Sequence, residues 1–583
     1  MRFMPFINLK NKNSFILIAL FFASIIVRYF LAKTNTFIYT YYDELIYLGI
    51  SRSILDGQIL VRNIPVDFRQ FLYPLIISPA SFINDPLLSY EAIKFINCII
   101  MSSALFPAYL LAKKVTENKE TAILIATLSI LLPEMFLTTL VLSECLFYPL
   151  VLWLFYFIWE YMSCEKPKVL YFCVIIITVI LLYFTKVLSL YFVPAIILMI
   201  FFEPVFKSKK RLGLIIVPFI IGIFYFFLTK YGLHYLNSIS ANDISFDKIK
   251  YMFYCVGIYC IYIVFAFFMF PLVAPIIEFK NLSLKLRQYI ILNFITLLTA
   301  CFVISTTVLL LEEYPNAIMR IHLRYLFPML IPFLIVFLKI SAMEIINLKA
   351  FIYTGIAFAV LSVIFIVIPP SGDSIIDSIL TSLMTQSQAD NILNLNFHNI
   401  SLKVSNFDIF KNVMILFFIF GSLKIKKHYF SKLFLTVIVV LFIINNFIIY
   451  SVGAKRVLGQ NSVKAQAIKL STALNNQKSG ILLVSKSVIS DKIMETYLNK
   501  PYYLVLEQNF REDYNLENLP AVSLERGEIY EKTFYMEGIN RIFANITYVI
   551  LGKDTEILDL DNFKYRDITP EEVTEYRLLE VTK

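Results

Sequence analysis

The sequence predicts a polytopic α-helical membrane protein with about 13 transmembrane helices and a small C-terminal extracytoplasmic α/β domain. Of its 583 residues, 59% are hydrophobic and only 16% are charged, and its mean hydropathy is +0.73. Soluble chains carry about 25% charged and about 45–50% apolar residues. The composition therefore excludes a soluble globular protein, a disordered chain and a collagen-like fold. The spacing of the apolar runs and the distribution of charge supply the remaining detail.

Apolar runs of membrane-spanning length recur along the first 450 residues. A span needs roughly 17–25 mainly apolar residues, and we count about 13 such runs, some of them fused or short. The first lacks a small-residue cleavage site, so we expect a retained span and not a signal peptide. The runs are centred at 14–32, 91–112, 121–139, 145–162, 169–185, 189–203, 212–229, 251–277, 289–311, 325–342, 350–368, 411–423 and 433–451.

The lysines and arginines predict the orientation of these spans. With a cytoplasmic N-terminus, the inner segments hold about 21 of them in roughly 66 residues, against about 11 in roughly 150 residues of outer loops, as the positive-inside rule requires. An odd number of spans then places the tail outside a multi-pass cell membrane. The net charge of +10, from 52 Lys and Arg against 42 Asp and Glu, is thus a topology signal and requires no nucleic-acid partner.

The chain divides at about residue 450 into a membrane domain, 1–450, and a tail, 451–583. The tail carries 17 Lys and Arg against 19 Asp and Glu, a net charge of −2, whereas the membrane domain carries +12. Predicted strands at 481–484, 502–506, 547–551 and 577–581 are separated by helical stretches such as 463–474 and 490–498. This pattern predicts a soluble extracytoplasmic α/β domain.

Cysteine and histidine give no sign of a disulfide framework or a metal centre. All seven cysteines lie in or beside apolar runs, where a cysteine behaves as a small core hydrophobe. The four histidines, at 234, 322, 398 and 428, are far apart in the sequence. We therefore predict no cofactor and no metal ligands, and the sequence leaves a role for a divalent metal open.

An acidic pair, Asp43 and Glu44, lies in the long first outer loop, about 33–90. Apolar residues recur at helical spacing from Glu44 to Asp56, and Gly57 suits the C-terminal cap, so we predict a helix along the membrane surface. Adjacent helical residues point about 100° apart, so both carboxylates cannot aim at one reacting atom. Either Asp43 is an N-cap residue, or one carboxylate is catalytic and the other orients it or caps the helix.

A further outer carboxylate, Glu144, is predicted in the short connection between the third and fourth spans. Its neighbours are almost all apolar, and an ionisable group at membrane depth is costly enough to be a functional candidate. Glu134 is a weaker candidate. The alternative is that Glu144 is only an interfacial loop carboxylate.

Four outer cations complete the set of candidate site residues. Lys94 lies near the outer start of the second span, Lys186 at the outer end of the fifth, and Arg320 and Arg324 before the tenth. The positive-inside rule disfavours these placements, so each calls for an anionic partner. They either snorkel toward headgroups or pair with the acidic residues at 312–313, or they hold a phosphate through charge-assisted hydrogen bonds.

Acidic residues and outward cations in an apolar body suggest transfer of a sugar from a lipid phosphate. An acceptor hydroxyl must lose a proton as it attacks the anomeric carbon, and one carboxylate can take it. The leaving phosphate needs positive charge and no proton. A glycosidase needs a second carboxyl group as acid, whereas here one base suffices and inversion is expected.

Several of these motifs resemble the GT-C superfamily, and within it the branch of protein O-mannosyltransferases and the lipid A aminoarabinose transferase. The paired Asp-Glu in the first outer loop is the hallmark of that branch. The resemblance is best over the first 200 residues. Beyond them it depends on topology and on the last of the following motifs: Tyr42-Asp43-Glu44, Tyr73-Pro74, Lys94–Asn97, Phe106-Pro107, Ser143-Glu144, Phe147–Pro149 and Arg324–Leu326.

The resemblance implies a GT-C fold and a polyprenyl-phosphate-sugar-dependent hexosyl- or pentosyltransferase. Asp43 would be the general base and Glu44 its companion, and Glu144 would position donor or acceptor. Lysines 94 and 186 and arginines 320 and 324 would bind the lipid phosphate; Lys186 stands where related sequences often have arginine. The acceptor would be a protein, lipid or cell-envelope glycan. The Trp-Trp-Asp motif of oligosaccharyltransferases is absent, which disfavours transfer of an oligosaccharide to asparagine.

Two other functions remain open from the sequence. A transporter or flippase for lipid-linked glycans also has many spans and intramembrane charges, although such proteins are often built from internal repeats, and we find no clear repeat. A glycan polymerase or ligase acts on a neighbouring substrate class but does not predict the Asp-Glu pair.

Overall fold

The computed structural model consists of a helical body followed by a mixed β-sheet. It describes residues 12–33, 41–61, 64–65, 70–163, 168–202, 270–311 and 323–343 of the body, with isolated residues in 253–263 and 436–443. Further along it describes 394–397, 400–403, 461–475, 481–485, 502–505, 521–523, 528–530, 546–552, 564–574 and 576–582.

The described helices of the body follow the predicted apolar runs, except α2 (Tyr41–Ser53) and α3 (Leu72–Ile77), which lie in the predicted first outer loop. Four are long and apolar enough to cross a membrane by length and composition: Asn13–Ala32, Pro86–Thr116, Glu144–Ser163 and Leu284–Ser305. They identify an integral membrane protein. The helices are α1 (Lys12–Ala32), α2 (Tyr41–Ser53), α3 (Leu72–Ile77), α4 (Pro86–Ser102), α5 (Leu105–Thr116), α6 (Lys119–Ser129), α7 (Glu144–Ser163), α8 (Lys168–Thr185), α9 (Val193–Phe201), α10 (Phe270–Ile277), α11 (Leu284–Leu311) and α12 (Leu330–Ala342).

Two predicted spans are discontinuous. The second is made of α4 and α5, which meet at residues 103–104. The third is α-helical only to Ser129, and a 3-10 helix, Pro133–Thr139, follows it. Pro133 has no N–H and disfavours helical conformation in the residue before it. The predicted spans at 212–229, 350–368 and 411–423 lie outside the described residues, so the count of about 13 stays a prediction.

The helix predicted after Asp43 is present as α2, continued by a 3-10 turn, Ile54–Asp56; its placement along the membrane surface stays a prediction. Gly57 closes it with a φ of +74°, and its N–H donates to the carbonyl of Ile54. Leu45, Leu48 and neighbouring residues on the same face are buried, so α2 is packed into the body. The helix begins before Asp43, which places that residue in the first turn and not at the N-cap.

The core of the body lies among α4, α5, α6, α7 and α12. Helix α5 packs against α6, α7 and α12, and α4 packs against α1 and α7. Spans in lipid associate through close packing and buried polar contacts. The packing of these helices fixes the positions of the polar side chains that α4 and α7 carry.

The tail contains helix α13 (Asn461–Asn475) and a five-stranded mixed sheet. The order of its strands is β10 (Lys564–Asp567), β11 (Tyr576–Thr582), β9 (Ile546–Gly552), β5 (Ile481–Ser485) and β6 (Tyr502–Val505). Strand β5 is parallel to β6 and β9, and β11 is antiparallel to β9 and β10. Helix α13 packs against α4 and is joined to the sheet region by an ion pair of Lys469 with Glu572, 3.1 Å. The strands are β1 (Leu60–Val61), β2 (Ile64–Pro65), β3 (Asn394–Phe397), β4 (Ile400–Lys403), β5 (Ile481–Ser485), β6 (Tyr502–Val505), β7 (Ala521–Ser523), β8 (Glu528–Tyr530), β9 (Ile546–Gly552), β10 (Lys564–Asp567) and β11 (Tyr576–Thr582).

Strands β5, β6, β9 and β11 and helix α13 lie where the sequence pattern predicted them. The helical stretch predicted at 490–498 lies outside the described residues. The domain boundary at about 451 and the extracytoplasmic placement of the tail stay predictions.

Candidate active site

Glu144 is the first residue of α7, and its side chain is only 2% exposed. A carboxylate in the first turn is favoured by the helix dipole. Burial of a charge is nevertheless costly unless the charge is paired. The surroundings of Glu144 therefore have to supply cations.

Two cations from distant segments meet Glu144. Nζ of Lys186, directly after α8, lies 2.6 Å from Oε1, and Nε of Arg324, in the 3-10 turn Leu323–Tyr325, lies 3.1 Å from the same oxygen. The side chains of all three residues are at most 7% exposed. Within the part of the chain that the structure describes, Oε2 of Glu144 has no hydrogen-bond partner. The cluster is buried, and both cations contact the same oxygen, Oε1, of Glu144.

Arg324 also connects this buried cluster to Asp43. Nη2 of Arg324 lies 3.3 Å from Oδ2 of Asp43, whose side chain is 45% exposed. The charges thus form a chain in the order Asp43, Arg324, Glu144, Lys186, with a formal sum of zero. Three members are buried, and the carboxylate at one end is accessible.

Tyr325 lies between the two cations. Nη2 of Arg324 donates to the phenol oxygen at 2.7 Å, and Nζ of Lys186 lies 4.2 Å from the ring centroid, within the range of a cation–π interaction. The phenol of Tyr191 donates to the backbone carbonyl of Tyr325 at 3.2 Å. These contacts restrain the 3-10 turn that carries Arg324.

Glu44 points away from Asp43, as the helical geometry predicts. Its carboxylate is fully buried, and Oε2 accepts a hydrogen bond of 2.9 Å from the backbone N–H of Val141. One turn further along α2, the phenol of Tyr47 shares a 2.8 Å hydrogen bond with the hydroxyl of Ser143. Burial raises the pKa of Tyr47, so the phenol keeps its proton. Both contacts hold α2 against the residues that precede Glu144.

The other predicted site residues lie elsewhere or are not described. Lys94 is buried in α4, where Nζ donates to the carbonyl of Ala32 at the end of α1, at 3.1 Å, and lies 4.8 Å from the ring centroid of Tyr90. Arg320 and the side chain of Glu134 lie outside the described residues.

Sequence reasoning assigned no role to the tyrosines of this site. Tyr47 and Tyr325 each adjoin a motif that was singled out, but a buried tyrosine is also a common core residue. The signal that was available for Tyr325 is its position directly after Arg324. No comparable signal marks Tyr191.

The described residues contain no group of three or more His, Cys, Asp or Glu side chains that could hold a metal ion. Among the described residues, the ion pairs of the cluster join two acidic side chains, Asp43 and Glu144, to two basic ones, Lys186 and Arg324. Such a set can accept a proton at its exposed carboxylate and stabilise negative charge at its cations.

Fold and site together define an integral membrane protein with a buried ion cluster between its helices. No family model matches the chain, and no curated protein matches it in sequence. The structure is similar to two crystal structures of ArnT from Cupriavidus metallidurans, one bound to undecaprenyl phosphate and one in the apo state. Identity is 10% and 11%, coverage is 97% of both chains, and the TM-score is 0.49 in each case. ArnT is the lipid A aminoarabinose transferase, a protein of GT-C fold.

Proposed function

We propose that this chain transfers a sugar from a polyprenyl-phosphate-linked donor to an acceptor hydroxyl on the extracytoplasmic face of the membrane. The observation that carries the proposal is the charge chain from the accessible Asp43 through Arg324 and Glu144 to Lys186. A transferase of this type needs one accessible base and a preorganised group of cations. In this protein the accessible carboxylate of Asp43 lies beside Arg324, and Arg324 and Lys186 contact the same oxygen of Glu144.

Asp43 is the proposed general base. The acceptor hydroxyl attacks the anomeric carbon, the bond from that carbon to the phosphate oxygen breaks, and its electron pair stays on the phosphate. The acceptor proton goes to the carboxylate of Asp43. The side chain is 45% exposed, so an acceptor can approach it. A single displacement inverts the configuration at the anomeric carbon.

Arg324 and Lys186 are the proposed phosphate-binding groups, and Glu144 holds them in place. Preorganised cations in a site that excludes water stabilise developing negative charge with little reorganisation. A guanidinium has five N–H donors and matches phosphate geometry. In this arrangement Glu144 acts on the donor through the two cations.

The remaining predicted residues have supporting roles in the proposal. Glu44 positions Asp43, because its bond to Val141 fixes the first turn of α2. Lys94 and Arg320 stay predicted contacts of the lipid phosphate. The reaction as proposed uses no cofactor, and the acceptor is a protein, a lipid or a cell-envelope glycan.

A donor panel tests the function. The purified chain in lipid nanodiscs is offered undecaprenyl- and dolichyl-phosphate hexoses and pentoses, each with a lipid, a peptide and a glycan acceptor. We expect release of polyprenyl phosphate from one donor class, coupled to a product of inverted anomeric configuration. A product of retained configuration contradicts the single displacement, and transfer from a nucleotide sugar in place of the lipid donor contradicts the function.

A flippase for lipid-linked glycans is the second candidate, and the broken third span favours it. Discontinuous spans with buried polar groups are common in transporters. Proteoliposomes loaded with a fluorescent lipid-linked sugar separate the two functions. Movement of the intact lipid between leaflets, with no cleavage at the anomeric carbon, favours the flippase and contradicts the transferase. A glycan polymerase differs from both, because it extends the product repeatedly.

A further inference from the structure

Arg28 is a buried cation near the C-terminal end of α1 and is not a member of the ion cluster of the candidate active site. Its side chain lies in a helix that is apolar enough to cross a membrane, and it is only 7% exposed. Ionisable residues at such positions are expensive and usually have a specific task. The proposed function gives Arg28 no role.

The guanidinium of Arg28 contacts the place where the third span loses its helical form. Nη2 donates to the backbone carbonyl of Ile130, the C-cap residue directly after α6. Nε donates to the hydroxyl of Ser24 at 3.0 Å, and Ser24 shares a 2.8 Å hydrogen bond with Ser102 of α4. The cation is thus held by α1 and α4 and aimed at the C-terminal end of α6, where a positive charge is favoured by the helix dipole.

Residues 130–143, the connecting segment, join this end of α6 to Glu144. Apart from a 3-10 helix, the connecting segment has no regular structure, and most of it is buried. Non-helical backbone at membrane depth is tolerated only where neighbouring groups satisfy its N–H and C=O groups. Helices α1, α4 and α7 all pack against it.

Side chains from several helices supply the hydrogen bonds of this backbone. Asn97 of α4 donates to the carbonyl of Leu140 at 2.8 Å, and Glu44 of α2 accepts from Val141 at 2.9 Å. Just before the segment, Tyr148 of α7 donates to the carbonyl of Ser129 at 3.1 Å. Arg28 secures the beginning of the connecting segment, and Glu44 secures its end.

We propose that Arg28 is a positioning residue of the active site, which acts by fixing the connecting segment and through it the location of Glu144. The effect of Arg28 on catalysis depends on the proposed function. The hold of Arg28 on the connecting segment, which we call the clamp, depends on the structure alone. Loss of the guanidinium frees the first carbonyl of the connecting segment. The position of Glu144, and with it that of both cations, then becomes less defined.

Hydrogen exchange tests the clamp without reference to any reaction. The full chain is purified as wild type, Arg28→Met and Arg28→Lys, with Thr178→Val as matched control. Thr178 donates only within its own helix, to the carbonyl of Val174 at 2.7 Å. We expect the backbone amides of residues 130–143 to exchange faster in Arg28→Met than in the wild type, and those of α8 to be unchanged. Arg28→Lys should be intermediate over residues 130–143, and Thr178→Val should match the wild type there. Unchanged exchange in Arg28→Met overturns the clamp.

Turnover tests the positioning role. A displacement of catalytic groups by about 1 Å costs up to about 100-fold in rate, so we expect Arg28→Met to lose about 10- to 100-fold in kcat and Arg28→Lys to recover part of it. Faster exchange with wild-type turnover overturns the positioning role. If Arg28→Met does not fold, Ser24→Ala takes its place, because it removes the acceptor that holds Nε. A wild-type chain that transfers no sugar fails the proposed function only, since the exchange result still decides the clamp.

Discussion

Nη2 of Arg324 lies 3.3 Å from Oδ2 of Asp43, although 281 residues separate the two in the sequence. The same guanidinium contacts the buried Glu144 through Nε at 3.1 Å. Among the described residues, Arg324 is the one whose ion pairs join the accessible carboxylate to the buried one. This relationship makes Arg324 the connection between the proposed base and the proposed phosphate site.

We expect Arg324→Ala to lose about 10- to 100-fold in kcat/KM for the lipid donor, because hydrogen bonds to charged groups contribute about 1.5–3 kcal/mol. The kcat/KM of Arg324→Lys should lie between those of the wild type and Arg324→Ala, because an ammonium keeps the positive charge but lacks the planar set of N–H donors of a guanidinium. Initial rates at varied donor concentration measure the effect. Lys339→Ala is the control, because Lys339 pairs with the exposed Glu117 at 3.4 Å. Equal rates for Arg324→Ala and the control would remove Arg324 from the phosphate site.

Removing both charges of the buried pair should cost less than the sum of the costs of removing each charge alone. Glu144→Gln leaves the buried Lys186 without its anion and leaves Arg324 with Asp43 alone, and breaking a buried pair costs about 3–5 kcal/mol. The double variant Glu144→Gln with Lys186→Met should be less destabilised than the sum of the single variants, because partners in contact are coupled. Thermal unfolding of the four proteins in detergent completes the cycle. Strict additivity would show that the 2.6 Å contact is energetically unimportant.

Turnover should depend on the shape and hydrogen bonding of the side chain at position 44 more than on its charge. Glu44→Gln keeps an oxygen that can accept from Val141, so we expect near wild-type turnover. Glu44→Ala leaves a buried N–H unpaired, at a cost of about 1–3 kcal/mol, and should lower both the unfolding temperature and turnover. Comparing the two variants separates a positioning role from a chemical one. A Gln variant as inactive as the Ala variant would make the charge of Glu44 essential.

Tyr325 should contribute modestly through its hydroxyl and more strongly through its ring. Tyr325→Phe loses the acceptor for Arg324 and keeps the ring beneath Lys186, whereas Tyr325→Leu loses both. A typical hydrogen bond contributes about 0.5–1.5 kcal/mol, and Arg324 keeps its ion pairs with Asp43 and Glu144 in the Phe variant, so we expect a decrease of about 2- to 10-fold for the Phe variant and a larger one for the Leu variant. Donor titrations with each variant measure the difference. Leu and Phe variants that behave alike would exclude the cation–π contact as a contributor.

Local pattern was sufficient to predict much of the helical body. The apolar runs mark α1, α7, α8 and α11, and the combination of helical spacing with Gly57 marks α2 and its end. These features depend on residues close together in the sequence. Hydrophobic periodicity and capping chemistry report on such local structure.

Hydropathy could not predict the break after Ser129. The residues on either side of it are equally apolar, and what stabilises the break comes from distant helices, among them Arg28 and Glu44. The sequence likewise placed Glu144 in a loop, because nothing local shows that α7 begins at this residue. The break and the start of α7 are results of tertiary contacts.

The composition of the site was partly predictable, and its connections were not. Asp43, Glu144, Lys186 and Arg324 stood out as charges in an apolar body. Their pairing joins residues on four segments, and single-sequence reasoning gives no information on which charges meet. Lys94 stood out for the same reason, yet its side chain donates a hydrogen bond to the carbonyl of Ala32.

The turnover of Asp43→Asn tests the central claim most directly, with Asp56→Asn as the matched control, since Asp56 is an exposed carboxylate at the end of the same helical segment. Release of polyprenyl phosphate from the accepted donor is measured, and thermal stabilisation by undecaprenyl phosphate shows that each variant is folded and binds the lipid. A general base contributes about 10²- to 10⁴-fold, so we predict a loss of at least about 100-fold for Asp43→Asn and none for Asp56→Asn. Turnover by Asp43→Asn equal to that of the control would contradict the account.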